Sequence, residues 1–342
     1  MRVYLCSDYL DKIKYSGVGR AVEHQQMALD EAGVSYTLTG EEPYDVIHIN
    51  TVFLKSYLKA VKAKKAGKAV VYHAHSTKED FKNSFIFANA LSSLFGWWIK
   101  KCYSTADLIL TPSAYSKSLL ENYKINKPIE VISNGIDLNY WKCSAEEVKT
   151  FREKYHIQPD EKLILSVGLP IKRKGILDFV NLAKRLPDYQ FIWFGYSDPK
   201  LLPKDVLAAI RTDLPNVQFP GYIDREELRV AYQACDLYVF LTNEETEGIV
   251  LLEALASKTD TLVRDIPVFN PDYVDEKHVY KGKNLEDFVS ITEGLLEGKY
   301  PSLVEEGYEA VLEKSIENIG QKLQYFYLSA LGKASVEKNY KN

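Results

Sequence analysis

Asp236-Leu237-Tyr238-Val239-Phe240-Leu241 runs into Glu244-Glu245-Thr246-Glu247-Gly248, and then into Ile249-Val250-Leu251-Leu252-Glu253-Ala254-Leu255-Ala256. The first segment is apolar without alternation, as in a parallel strand covered on both faces. The last reads as a helix buried on most sides, with the carboxylate of Glu253 inside it. Such a carboxylate is costly unless something bonds it. Gly248 stands at the strand-to-helix turn, where the first helical N–H groups face outward and carry partial positive charge. Strand, acidic loop and helix together describe a site that takes phosphate on the backbone and hydroxyls on Glu245 and Glu253. A nucleotide sugar offers both groups.

Working outward, similar apolar runs recur along the chain. Val3–Cys6, Val46–Ile49, Ala69–His73, Leu108–Thr111 and Glu130–Ile132 read as strands of a first series. Leu163–Val167, Gln190–Phe194, Val217–Phe219, Leu237–Leu241 and Thr261–Val263 read as a second. Helical patterns lie between them, so right-handed βαβ units follow. The expectation is an α/β chain of two Rossmann-like, doubly wound domains facing a cleft, with residues 1–140 in one and 141–315 in the other. The hinge is expected after Asn134-Gly135-Ile136-Asp137, and a last helix from Ile316 to Leu331 is expected to cross back onto the first domain. In open α/β sheets ligands sit beyond the carboxyl ends of the strands, so the residues after each strand carry the functional argument.

Size and composition agree with a globular, two-domain chain: 342 residues, 46% apolar and 26% charged. No apolar run approaches the roughly 20 residues that span a bilayer. The start, Met1 to Asp8, turns acidic too soon for a signal peptide and reads as a first strand. Cys6, Cys102, Cys143 and Cys235 have no metal or redox spacing and read as reduced thiols of a cytoplasmic protein. The net charge of −4 hides an asymmetry, because residues 1–143 carry about +4 and the remainder about −8. Much of the excess lies in Lys55–Lys68, with six lysines and no acid. Val52, Leu54, Tyr57, Leu58 and Val61 fall there near helical spacing, so the segment is either a solvated helix face or a basic amphipathic helix on an anionic membrane. Phe81 to Tyr103, with Phe85, Ile86, Phe87, Leu91, Leu94, Phe95, Trp97, Trp98 and Ile99 before Lys100-Lys101, is either a core helix or a membrane-interface element. Nucleic acid is not an expected partner.

Three more clusters follow strands. Tyr15-Ser16-Gly17-Val18-Gly19-Arg20 reads as a turn or as a phosphate-approaching loop before a helix. It is not G-x-G-x-x-G, since Val22 stands at the last position. His73-Ala74-His75 offers a histidine that can donate to a sugar hydroxyl or share developing charge. His75 is the functional candidate, His48 a structural one, and no third metal ligand is near. Gly168-Leu169-Pro170-Ile171-Lys172-Arg173-Lys174-Gly175 is a solvated basic loop or a diphosphate clamp. No Asp-x-Asp pair occurs in the chain, so Arg173 and Lys174 rather than a metal are expected to stabilise a leaving diphosphate.

These residues resemble retaining glycosyltransferase family 4, of GT-B fold. The resemblance rests on Glu245-x7-Glu253, the Gly17/Gly19 loop, His75, Ser133-Asn134-Gly135-Ile136-Asp137, Lys172-Arg173-Lys174-Gly175, and Phe219-Pro220-Gly221-Tyr222 leading to Tyr232-Gln233-Ala234-Cys235-Asp236. It covers nearly the whole chain, in order. It implies that Gly17 and Gly19 approach the donor diphosphate and that Arg173 and Lys174 hold it. It further implies that Glu245 and the Thr246, Glu247, Gly248 and Ile249 amides hold hexose and phosphate, that Glu253 holds ribose, and that His75 sits near the hexose. The chain departs from the family at Leu169, where an Arg is usual, at Glu247, where an aromatic is usual, and at Ser133, where a Pro is usual. Glu244-Glu245-Thr246-Glu247-Gly248-Ile249-Val250 with Arg264-Asp265-Ile266-Pro267 is similar to Gram-positive enzymes that add a second hexose to α-glucosyl-diacylglycerol. The resemblance thus implies a metal-independent, retaining hexosyltransferase that moves galactose, with glucose second, from a UDP-sugar to α-glucosyl-diacylglycerol, without cofactor, peripherally bound at the cytoplasmic face of the membrane. The other readings are a family 4 enzyme acting on a polysaccharide, teichoic-acid or soluble acceptor, and a catalytically silent partner subunit; epimerases of the same fold lack this acidic pattern.

Overall fold

The computed structural model describes residues 1–9, 11, 16–82 and 88–339. Tyr15 and Phe85–Phe87 of the sequence reading lie outside the described residues.

Two sheets, each of six strands and wholly parallel, organise the chain. The first contains β1 (Arg2–Cys6), β2 (Ser35–Thr37), β3 (Val46–Ile49), β4 (Ala69–His73), β5 (Leu108–Thr111) and β6 (Ile129–Val131), in the order β2-β1-β3-β4-β5-β6. The second contains β7 (Leu163–Val167), β8 (Gln190–Phe194), β9 (Val217–Gly221), β10 (Leu237–Phe240), β11 (Thr261–Arg264) and β12 (Tyr280–Gly282), in the order β12-β11-β10-β7-β8-β9. This is the GT-B arrangement. The central strands are buried throughout, which is why they read as unbroken apolar runs. The edge strands β2 and β12 were not expected. Each has three residues, including Ser35, Thr37, Lys281 and Gly282, and carries no apolar run.

Strand order fixes where the site must form. The second sheet reverses its winding between β7 and β10, which are neighbours, and the first between β1 and β3. Loops on either side of such a reversal leave a crevice at the strand ends. The basic turn follows β7 and the acidic loop follows β10, so both open into the crevice. The Gly17 segment follows β1, and Asn50 follows β3.

The chain passes between the sheets at Gly135 and Ile136 and returns beside that crossing. Ile136 N–H donates to Lys314 O at 2.9 Å, and Ile316 N–H to Ile136 O at 3.0 Å. Gly135 takes φ of +81°, the left-handed region that favours glycine. The final helix, Ile316–Asn339, then packs on the first sheet's layer, placing Ile316, Ile319, Leu323, Tyr327 and Ala330 in one core with Val3, Ala28, Leu29, Val71 and Leu110. Gly320 lets it lie against the Gly17–Glu31 helix, since a Cβ there would run into the Ala28 carbonyl oxygen.

Candidate functional site

The basic turn, Lys172–Lys174, is one turn of 3-10 helix ended by Gly175 at φ of +84°. A Cβ on Gly175 would collide with the Leu241 carbonyl, so glycine lets this turn press against the end of β10. Asn243 N–H donates to Arg173 O at 2.7 Å, and Arg173 NH1 donates to Glu244 O at 2.7 Å. Basic and acidic loops therefore form one unit. Inside it, Lys174 Nζ donates to Glu245 Oε1, Thr242 Oγ1 donates to the same oxygen at 3.1 Å, and Arg173 NH1 lies 3.8 Å from it. Burial pulls the Lys174 ammonium down and Glu245 opposes that pull. The structure thus assembles Arg173, Lys174 and Glu245 at a single point. Leu169, where the family has Arg, packs against the core of the second domain. Arg173, four residues further on, brings its guanidinium to Glu244 O and Glu245.

Gly248, at φ of +91°, opens the helix Ile249–Ala256 and makes no side-chain cap bond. A Cβ there would crowd the Phe240 ring. The helix start, with Thr246, Gly248 and Ile249 half-buried, is left without a side-chain cap. Glu253, one turn on, is 2% exposed. Tyr232 OH donates to its Oε2 at 3.1 Å, and Arg20 Nε of the first domain lies 3.7 Å from its Oε1. Burial raises the Glu253 carboxyl pKa, and Arg20 opposes the rise. One carboxylate thus faces the cleft from each end of the loop-helix unit.

Glu247 enters the sequence reading through its backbone amide, and its side chain has a place of its own. Its carboxylate is buried on the hinge, where Oε2 accepts from Asn134 N at 3.0 Å and Asn134 Nδ2 at 2.7 Å. Where the family has an aromatic, this acid ties the loop to the crossing segment. Gly17 and Gly19 also differ in detail. They form the first turn of the helix Gly17–Glu31 rather than a loop before it, because Ser16 Oγ accepts from Gly19 N at 3.4 Å and caps the helix there. A Cβ on Gly17 would meet nothing within 4 Å, so open space lies over that turn.

Across the cleft, His75 Nε2 bonds Asn50 Oδ1 at 2.8 Å. Its ring stacks on His73 with centroids 4.1 Å apart, and His73 stacks on His48 at 5.4 Å. His48 Nδ1 bonds Tyr327 OH at 2.7 Å, so a column of imidazoles runs from the final helix to the cleft. Burial holds His48 and His75 down to about 3, so both are neutral. His75 is the half-buried end of the column. It lines a cavity of about 130 Å³ with Ser16, Val18, Asn50, Val52, Phe53 and Ser76. His48 and His73 are structural. Among the described residues no three His, Cys, Asp or Glu side chains gather to hold a metal ion.

Sequence reasoning missed Arg20, Asn50, Thr242 and the role of Tyr232. It also missed Asp80, whose Oδ1 lies 2.9 Å from Arg173 NH1 across the cleft. The signal for Arg20 was available, since it directly follows Gly19.

The outer face of the first domain carries a second feature. Helices Leu54–Lys65 and Ala88–Tyr103 lie side by side, with Tyr57 and Trp98 5.5 Å apart and Lys101 Nζ 5.4 Å from both the Tyr57 and Trp97 rings. Leu54, Leu58, Leu91, Leu94 and Trp97 are each at least half exposed, while Ile99, Cys102 and Tyr103 are buried. The second helix is thus both a core and a surface element. Among the described residues no helix is long and apolar enough to cross a membrane.

Comparison with known proteins identifies the family. Residues 17–140 match the family model described as Glycosyltransferase Family 4, and residues 147–317 match Glycosyl transferases group 1. A processive diacylglycerol alpha-glucosyltransferase of Acholeplasma laidlawii is 37% identical over 96% of this chain and 98% of its own length. An alpha-galactosylglucosyldiacylglycerol synthase of Streptococcus pneumoniae is 22% identical over 76% of this chain and 71% of its own. Among solved structures, Anabaena HepE in complex with UDP-glucose superposes with a TM-score of 0.77 at 16% identity, covering 96% of this chain and all of that one.

Proposed function

Because this chain belongs to the glycosyltransferases, with a family 4 first half and a group 1 second half, we propose that it is a retaining, metal-independent hexosyltransferase that moves a hexose from a UDP-sugar to a diacylglycerol-based acceptor at a membrane surface. The observation that carries the reading is the junction of Arg173, Lys174 and Glu245 beside an uncapped helix start. Leaving-group charge and a hexose hydroxyl need those groups in one place.

Arg173, Lys174 and the amides from Thr246 to Ile249 neutralise the departing diphosphate. Glu245 accepts from the hexose and Glu253 from the ribose. His75, being neutral, acts as a hydrogen-bond partner near the hexose rather than as a cation. The acceptor hydroxyl approaches the anomeric carbon from the side the diphosphate leaves, and a donor phosphate oxygen takes its proton. The reading gives no side chain the role of nucleophile.

Glucose is favoured over galactose as the transferred sugar, since the relative matching along its whole length is named for glucosyl transfer. Diacylglycerol or its monoglucosyl form is favoured as acceptor on the same ground and on the surface of the first domain. Exposed Leu54, Leu58, Leu94 and Trp97, interleaved with Lys55, Lys62, Lys65, Lys100 and Lys101, suit the interface of an anionic membrane. This reading places the chain at the cytoplasmic membrane face.

The test is turnover of purified protein with UDP-glucose and UDP-galactose, each against diacylglycerol and glucosyl-diacylglycerol in anionic vesicles, with EDTA present. An α-linked glycolipid product is expected. Transfer to soluble sugars alone would remove the lipid reading, a β-linked product the retaining one, and loss of turnover with EDTA the metal-independent one.

A further inference from the structure

Two ion contacts span the cleft in opposite senses. Arg20 of the first domain faces Glu253 of the second at 3.7 Å, and Asp80 of the first domain meets Arg173 of the second at 2.9 Å. Nothing in the proposed chemistry uses Asp80. It is nevertheless firmly presented. It lies on the short helix Lys78–Phe81, capped by Thr77, whose Oγ1 accepts from Asp80 N at 3.1 Å. Lys78 N–H donates to Tyr123 OH at 2.7 Å, and Phe81 stacks on Phe95 at 4.4 Å. The side chain is about one-fifth exposed, and burial raises its pKa against the pull of Arg173.

Arg173 and Lys174 already face the carboxylates of Asp80 and Glu245, with Glu244 close to both acids. A nucleotide sugar adds about two negative charges through its diphosphate. A poorly solvated cleft does not hold two carboxylates and a diphosphate on two cations. Glu245 is fixed by Lys174 and Thr242 within its own domain. Of the two carboxylates on Arg173, Asp80 is the one that reaches it from across the cleft, so domain opening parts them. Its carboxylate also offers the guanidinium what a phosphate oxygen offers, a charged acceptor.

We propose that Asp80 is a stand-in for the leaving phosphate. It holds Arg173 in the empty cleft, yields it when the donor binds, and takes it back as UDP departs. The inference rests on the reading that Arg173 holds the donor diphosphate. It makes Asp80 a positioning residue that weakens nucleotide binding and hastens product release, a step that limits many transferases.

The experiment is calorimetric titration of UDP into the full chain and into Asp80→Asn. Removal of a competing charged acceptor is expected to tighten UDP binding about tenfold, since a hydrogen bond to a charged group is worth about 1.5 kcal/mol or more. It is also expected to lower kcat with a burst of product in the first turnover. Asp80→Glu is expected to return affinity toward that of the unaltered chain. A role only in folding would lower thermal stability and loosen UDP. A role in gripping the acceptor would raise the acceptor KM and leave UDP affinity alone. Either result overturns the proposal. Asp80→Ala carries the same measurement if the amide variant does not fold. Hydrogen exchange on the unaltered chain gives a second reading: UDP is expected to protect residues 172–175 and to speed exchange at 78–81, and protection of both would refute the exchange of partners. If the unaltered chain binds no UDP, the site reading and this proposal fall together. If it binds UDP and Asp80→Asn binds no tighter, only this proposal falls.

Discussion

Lys174 and Glu245 form a pair whose two functions can be separated by a double-mutant cycle. Their side chains are 16% and 6% exposed. Removing one partner of such a pair strands the other and costs roughly 3–5 kcal/mol. Lys174→Met leaves Glu245 with Thr242 Oγ1 at 3.1 Å and Arg173 at 3.8 Å, so the expected loss is at the lower end, about 3 kcal/mol. Glu245→Gln leaves the ammonium buried, but burial already lowers the Lys174 pKa and the group can shed its proton. About 2 kcal/mol is expected there. The double variant strands neither charge and should lose no more than about 1 kcal/mol, giving a coupling of about 4 kcal/mol. Stability is read from urea midpoints at constant m-value. Turnover behaves otherwise. Lys174→Met removes a leaving-group contact worth about 3–4 kcal/mol, so kcat should fall roughly 100- to 1,000-fold, and the double variant should not recover it. Stability losses that simply add would refute the pairing. Turnover by Lys174→Met within about threefold of the unaltered chain would refute the leaving-group role.

Three further outcomes follow from the geometry. His24 and His48 are fully buried and held down to about 3, chiefly by burial. The unfolded chain takes up protons near pH 6.5 that the folded chain refuses, so stability should be flat above about pH 7 and fall as pH drops, by about 1.4 kcal/mol per pH unit for each histidine. Buried Glu247 and Glu253, whose pKa values burial raises, act in the opposite sense as pH falls through those raised values. A urea midpoint unchanged from pH 7.5 to 5.0 would contradict this. Gly320→Val should force the final helix off the Ala28 carbonyl and cost about 3 kcal/mol or more, checked by thermal melting; a Tm unchanged within error would count against the packing described. Trp97→Ala with Leu94→Asp should weaken sedimentation with anionic vesicles at least tenfold while leaving UDP affinity intact, and unchanged sedimentation would move the membrane face elsewhere.

The fold was legible because its central strands are buried on both faces and therefore spell themselves as apolar runs. β2 and β12 were not, since three polar-rich residues at an edge carry no such run. The same distinction governs the site. Arg173, Lys174, Glu245, Gly248 and Glu253 were readable because each loop announces its own chemistry after its own strand. Asp80 was not, because Thr77-Lys78-Glu79-Asp80 reads as an ordinary capped polar turn, and its partner is chosen by the facing of two domains. The place of the Glu247 side chain was not legible for a related reason. Its neighbours Glu245 and Gly248 belong to the cleft, but successive residues in a loop need not point one way, and Asn134 waits on the opposite side.

That reversal at Glu247 bears on how the two lobes communicate. The acidic loop touches the rest of the molecule at three further points: Ser113 Oγ donates to Thr246 O at 2.6 Å, Tyr115 OH donates to Glu244 at 3.2 Å, and Asn134 holds Glu247 at 2.7 Å. The first two contacts come from the opposite domain and the third from the crossing strand. Lys314 beside the return crossing is held charged in part by Glu247. A ligand that shifts this loop therefore cannot do so without altering contacts at the hinge and across the cleft. An aromatic at 247 would fill the same space but could not bond Asn134. The acid at that position makes the donor loop and the hinge one mechanical unit, and the parallel reversal of strands between β7 and β10 is what brings that unit to the mouth of the cleft.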